Sequence, residues 1–203
     1  EDDAESINEL HYLERLDAQV RGEMESNAKE VMKPVRDLGG NAKAYARERN
    51  RALRGVVSEI YSAPRVTQVL KMMPSLRLIP GFALDLTTAD EEGNAWDFDR
   101  AEQRDKARRL IAEEKPYFLI GSPQCTTYSS WQGVNDGRRD PQAVRRDRAR
   151  ADIHMAFVTE LYREQVENGR YFLHAHPAYA QSWALDCVRE VMDLEGVSTS
   201  IGD

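Results

Sequence analysis

The sequence predicts an α/β fold: a Rossmann-like, mostly parallel sheet flanked by helices, with a helical extension at the N-terminus. Three observations predict it. Short apolar runs of strand formers at residues 81–86, 117–120 and 170–174 alternate with charged, helix-patterned stretches at 100–115 and 141–168. The second and third runs each end in polar residues and a proline, as strands do where they deliver side chains to a shared cleft. Ahead of them, apolar residues recur every three or four positions, a helical period.

The elements follow in order. From Ile7, the residues Leu10, Leu13, Leu16, Val20, Met24 and Ala28 write one stripe along a helix in a highly charged background. Such a stripe needs a partner, which makes residues 7–31 a candidate for helix-mediated self-association. Pro34 and the Gly39-Gly40 pair end that helix, and Leu53, Val56, Val57 and Ile60 set a second helix over residues 43–61. Residues 1–60 thus read as the extension and 61–203 as the main domain. Ser62-Ala-Pro64 looks like a cap and an early-helix proline, opening a short helix through Met72 that Pro74 stops. Gly81 to Leu86 is a strand with Asp85 near its end, followed by Thr87-Thr88 and an acidic turn from Asp90 to Asn94. Trp96 to Asp99 fits a strand or a turn. Arg100 to Lys115 is a helix with Ala107, Leu110 and Ile111 inward, and it feeds a strand from Tyr117 to Ile120 that Gly121, Ser122 and Pro123 punctuate. A loop spans 136–139. A long helix runs from Pro141 to about Asn168, with Ile153, Ala156, Phe157 and Leu161 on its apolar side and Gly169 closing it. A strand from Arg170 to His174, a helix from Tyr179 to Leu194 and a last strand from Val197 to Ile201 complete the set, with right-handed crossovers expected.

At 203 residues and 41% hydrophobic, the chain can bury one sizeable core but hardly two. A net charge of -7 disfavours broad attraction to phosphate and leaves room only for a local basic patch. Two cysteines, Cys125 and Cys187, are too few for a disulfide framework, and no CxxC or Cys/His zinc spacing occurs, so the chain reads as intracellular, cytoplasmic or nuclear. No long apolar stretch or signal-peptide pattern is present, and no membrane partner is expected. Glu1 in place of Met, and an apparent strand just before Asp203, make both ends read as cuts in something longer.

The strand ending at Gly121 delivers a thiol, Cys125, on a loop rich in hydroxyls: Ser122, Thr126, Thr127, Tyr128, Ser129 and Ser130. Cysteine is the side chain nearest to a ready nucleophile at neutral pH, given a cation or base nearby. The alternative is a small buried hydrophobe. Phe172-Leu-His-Ala-His-Pro177 repeats the arrangement, and on a strand His174 and His176 point to the same face. A strand-end histidine could hold Cys125 as thiolate, or simply be a hydrogen-bonded residue at the sheet edge. No metal is expected, since no further ligand stands at a recognisable spacing, and the H-x-E and P-C-x-x-C of zinc deaminases are missing. Asp85 could accept hydrogen bonds from a ligand's hydroxyls or cap the turn that follows it. There is no G-x-G-x-x-G and no P-loop. From Arg138 to Arg150 six arginines face two aspartates, a stretch that could contact a phosphate backbone or be a solvated helix face.

Taken together, these residues resemble the class I S-adenosylmethionine-dependent methyltransferases, specifically the cytosine carbon-5 DNA methyltransferases. Ile60-Tyr-Ser-Ala-Pro-Arg-Val66 looks like the segment ahead of the first strand that touches the methionine end of the cofactor. Gly81 to Leu86 takes the place of the first cofactor-binding strand. Ser122-Pro-Gln-Cys-Thr-Thr-Tyr-Ser129 resembles the Pro-Cys-x-x-Phe-Ser loop, and Leu173-His-Ala-His-Pro177 resembles the strand ending in Glu-Asn. Residues 60–203 are more closely similar to a domain in the polyproteins of copia-type retroelements of unicellular algae and other protists. The resemblance implies S-adenosylmethionine as cofactor, held near Asp85, Thr87 and Pro64, and Cys125 as the nucleophile toward a cytosine. It implies substrate contacts from Ser122, Pro123, Ser129, His174 and His176; DNA or RNA as partner would run along the basic stretch, at Arg145, Arg146 and Arg148. The departures are Ala175 where the glutamate belongs, Gln124 for the proline before the cysteine, and the absence, in the stretch right after Leu86, of the first cofactor loop's glycines. They favour a partly degenerate module that binds or assembles over a fully active cytosine methyltransferase, which is the alternative.

Overall fold

The computed structural model describes residues 37, 39–41, 55–73, 76 and 78–202. The chain divides into two compact units, 1–54 and 55–203. The amphipathic stripe of residues 7–31 and most of the second helix expected after it lie outside the described residues.

The second unit is an α/β fold of Rossmann-like form. Four strands, β1 (Gly55–Ile60), β2 (Leu78–Leu84), β3 (Phe118–Gly121) and β4 (Tyr171–His174), make an all-parallel sheet in the order β2-β1-β3-β4. The helices are α1 (Val66–Leu70), α2 (Ala101–Glu114), α3 (Ser130–Asp136), α4 (Pro141–Glu167) and α5 (Asp186–Met192), with 3₁₀ turns at Thr126–Tyr128 and Gln181–Ala184. No helix among the described residues is long and apolar enough to cross a membrane.

One face of the sheet carries the main core. Ile60, Leu84 and Leu119 meet Ala107 and Ile111 of α2, Phe157, Val158, Leu161 and Tyr162 of α4, and Val191 of α5. Glu59 points the opposite way from its neighbour Ile60, as alternation on a strand demands. There it meets α1, which packs on β1 and β2. α4 begins as its sequence dictates: Asp140 accepts from the amides of Gln142 and Ala143, and Pro141 occupies the first turn.

Several expectations are corrected. Residues 55–60 are not the end of a helix but the inner strand β1. Its two polar residues, Ser58 and Glu59, are as buried as its apolar ones, so the run shows no alternation, and the spacing of Val56, Val57 and Ile60 imitates a helix face. The segment 60–66 therefore follows the first strand, and the strand containing Gly81 is the second, running from Leu78 to Leu84 with Asp85 just past its end. The helix expected over 179–194 is a 3₁₀ turn and then α5, separated by Leu185 in an extended conformation. Tertiary bonds hold that turn apart: Trp183 Nε1 donates to the Pro177 carbonyl, and Ser182 bonds His176. Residues 197–201 form no strand; the Val197 amide turns back to Leu194, and Ile201 stands exposed. Strand propensity alone does not make a strand without a paired neighbour. Trp96 to Asp99 is turn, with Trp96 and Phe98 buried.

Candidate functional site

β1 has β2 on one side and β3 on the other, so the chain reverses its direction of travel across the sheet there. In open α/β sheets ligands bind outside the carboxyl ends of the strands at such a reversal. Backbone bonds extend the ladder beyond the strand ends: Tyr61 N to Leu84 O (2.8 Å), Ser122 N to Ile60 O (3.1 Å) and Ala175 N to Gly121 O (2.9 Å). The loops after all four strands are thereby aligned along one edge.

The loop after β1 opens with Tyr61 at φ 56, a left-handed backbone on a bulky residue. Tertiary contacts hold it. The Tyr61 hydroxyl lies 2.8 Å from His154 Nδ1, and His154 Nε2 lies 3.0 Å from Asp99 Oδ1, which also pairs with Arg150. Burial raises the Tyr61 phenol well above its ordinary value, so its O–H donates to Nδ1 and the Nε2–H donates to Asp99. Arg150, then His154, hold the Asp99 carboxyl below its usual range against the effect of its burial. No local motif marks this relay, because its members are 93 and 55 residues apart.

Directly beneath that loop, Glu59 is 1% exposed. Its carboxylate accepts from the Thr67 amide and hydroxyl (both 2.8 Å), the Arg65 amide (3.1 Å) and the Ser62 hydroxyl (3.0 Å). Burial pushes its pKa up, but these hydrogen bonds outweigh burial and leave it lowered, hence ionised at neutral pH. Asp85, half-buried at the end of β2, uses Oδ1 to accept from the Thr87 amide (3.0 Å) and hydroxyl (2.8 Å), while Oδ2 has no hydrogen-bond partner among the described residues. It caps its turn and keeps one oxygen to offer. Pro64 instead lines a groove of about 250 Å³ with Thr67, Gln68, Lys71, Gly81, Ala83 and Thr88, on the α1 side of β2.

Cys125 is half-buried at the start of the 3₁₀ turn after β3, and its thiol has no hydrogen-bond partner among the described residues. Its loop is clamped. Pro123 is buried and its carbonyl accepts from His176 Nε2 (3.2 Å), while His176 Nδ1 takes the Ser182 hydroxyl (2.6 Å). With both ring nitrogens engaged, His176 ties the loops after β3 and β4 together and is not placed to hold Cys125 as thiolate. Tyr128 is fully buried and donates to Asp152 (2.6 Å). Ser129 caps α3 by accepting from the Trp131 amide, and Ser122 is exposed. Cys125, Ser122, Pro123, Ser129, His174 and His176 therefore do gather at the ends of β3 and β4. Asp85 and Thr87 lie two strands away from β3, roughly 10 Å. Of the arginines, Arg145 and Arg146 are exposed, but Arg148 bonds Gln181 (3.0 Å) and sits 5.5 Å from the Tyr128 ring centre.

His174 Nδ1 is 3.2 Å from the Tyr162 hydroxyl, and its Nε2 is buried with no hydrogen-bond partner. Burial, then the neighbouring His176, lowers its pKa to about 4. An unfolded histidine takes up its proton near pH 6.5, so the native state is stabilised fully above that pH and loses the stabilisation as pH falls toward 4. Stability should drop by about 3 kcal/mol through that window. Urea midpoints measured from neutral to mildly acidic pH should show the slope, and His174→Phe should flatten it; an equally steep slope in the variant would contradict the assignment.

A scan of the chain against protein-family models, and searches of curated proteins and of solved structures, give no match.

Proposed function

We propose that residues 55–202 form an intracellular, methyltransferase-like module that holds an S-adenosylmethionine-type ligand in the crevice between β1 and β3. The module acts by binding and assembly rather than by turnover, with DNA or RNA as its partner on the arginine-bearing side.

Glu59 is the observation that carries this reading. A helix that follows the first strand of such a sheet ordinarily turns free amides toward a pyrophosphate. Here the amides of Arg65 and Thr67 are already taken by an internal carboxylate. An anionic nucleotide would meet a buried negative charge there, whereas a ligand carrying sulfonium and ammonium groups would find that charge favourable. The free Oδ2 of Asp85 suits ribose hydroxyls at the end of the second strand. The fit is looser in the loop after β1, where Ser62, Ala63 and Pro64 place side chains on a backbone that a ligand would have to approach closely. When bound, such a ligand supplies a transferable methyl group.

Against turnover stand the exposed Ala175 where a substrate-holding carboxylate would be needed, and His176 committed on both nitrogens. Losing one group that stabilises the transition state typically costs about a hundredfold to a thousandfold in rate. The second reading, an active cytosine methyltransferase, is favoured by the partial exposure of Cys125 at the carboxyl end of β3. It requires a covalent adduct with a mechanism-based cytosine analogue that disappears in Cys125→Ser.

Calorimetric titration tests the main reading. S-adenosylmethionine and S-adenosylhomocysteine should bind in the micromolar range, and Asp85→Ala should weaken both by roughly tenfold or more. No heat with millimolar ligand and a folded chain would remove the cofactor from the proposal.

A further inference from the structure

We infer that the rim formed by the loops after β3 and β4 and the first turns of α4 docks single-stranded nucleic acid, with Trp131 and Tyr179 as platforms for unpaired bases. Trp131 is 80% exposed and Tyr179 is 88% exposed. Aromatic side chains normally spend that area in a core or an interface, as Tyr128 and Tyr162 do here.

The two rings share one support. Tyr128, three residues before Trp131, and Ala180, directly after Tyr179, pack in the same buried cluster with Met155 and Val188. Arg148 of α4 fastens both loops, with its guanidinium over the Tyr128 ring and bonded to Gln181. The segments bearing the rings are therefore held side by side against α4.

Charge says what the rings face. Residues 136–150 hold six arginines and three aspartates in a chain of net charge -7. Arg139 pairs with Asp136 and Asp147, and Asp140 is committed to the first amides of α4. Arg138, Arg145 and Arg146 remain exposed and without an acidic partner among the described residues. Arg145 lies three positions before Arg148 and so shares its face of the helix. Exposed aromatic faces beside unpaired cations are the combination by which proteins hold single strands: phosphates follow the cations and bases stack on the rings. A duplex hides its base faces and offers these rings nothing. The inference rests on the nucleic-acid part of the function proposed above and is independent of the cofactor.

The test is fluorescence anisotropy of the full chain with a labelled oligothymidylate and with a blunt duplex of equal length, across a salt series. The single strand should bind tighter than the duplex. Trp131→Ala and Tyr179→Ala should each weaken it by roughly five- to a hundredfold with an unchanged salt slope. Arg145→Ala should reduce that slope by about 0.7. Trp131→Tyr should restore most of the loss from Trp131→Ala. Equal binding of duplex and single strand, or aromatic variants that bind like the parent, would overturn the stacking inference and leave nucleic-acid binding standing. No binding of either probe at low salt would overturn both. If the chain then loses sedimentation mass on Trp131→Ala, the rim holds a second copy instead.

Discussion

Glu59→Ala should cost about 3–5 kcal/mol of folding stability, more than truncating an ordinary surface carboxylate by several-fold. The substitution leaves the amides of Arg65 and Thr67 and the hydroxyls of Thr67 and Ser62 facing a cavity, at a site 1% exposed. Each buried donor left without a partner costs its own desolvation. Glu59→Gln should be nearly as harmful, because an amide group would turn N–H toward donors. The sign of the pH dependence follows from the lowered pKa. The carboxylate's contribution is complete above the ordinary glutamate range and is lost as pH falls through the lower folded value. The gap in urea midpoint between parent and Glu59→Gln should therefore be wide at neutral pH and narrow as pH falls below the ordinary glutamate range. A gap that stays constant would mean that the hydrogen bonds are not made by an ionised carboxylate.

Glu59 also shows where the sequence was legible and where it was not. The elements α2, β3, α4 and β4 follow from ordinary signals: the inward Ala107 and Ile111, the run before Gly121, Asp140-Pro141 at a helix start and Gly169 at its end. Each signal is local. β1 defeats local reading because a polar pair at its centre is buried, Glu59 under α1 and Ser58 inside the sheet, and so interrupts the apolar run that marks a buried strand. The position of that one strand sets the numbering of the others. Without β1, Gly81 to Leu86 reads as the first strand and Ile60 to Val66 as a segment ahead of it, when residues 61–65 are the loop that follows β1.

Asp85 moves from the end of a first strand to the end of the second, where an acidic side chain can reach ribose hydroxyls. The residues Cys125, His174 and His176 were found because strand ends are visible in a sequence. Their hydrogen bonds were not, since the tie between His176 and Pro123 spans 53 residues and depends on β3 and β4 being neighbours. The Tyr61–His154–Asp99 relay escaped for the same reason, although an isolated histidine on the apolar side of a long helix was the one available hint.

Gly121→Ala should be the most damaging small substitution in the sheet. An alanine Cβ there would stand 1.9 Å from the Tyr162 hydroxyl and 2.9 Å from Cζ, well inside any real contact. The ring cannot swing aside, because Tyr162 is 1% exposed and stacked on Phe172 at 4.5 Å. The strain must pass to β3, at about 3 kcal/mol or more. That shift acts on the site as well, since Gly121 accepts from Ala175 and leads directly into Ser122 and the Cys125 loop. A lower thermal midpoint should therefore come with a faster alkylation of Cys125. Tyr162→Phe separates sterics from general disruption. Alone it should destabilise modestly by removing the partner of His174 Nδ1. Combined with Gly121→Ala it should recover part of the loss, because the atom nearest the new methyl is gone, and the two effects should be clearly non-additive. A double variant no more stable than Gly121→Ala alone would show that the ring hydroxyl is not what keeps this position a glycine.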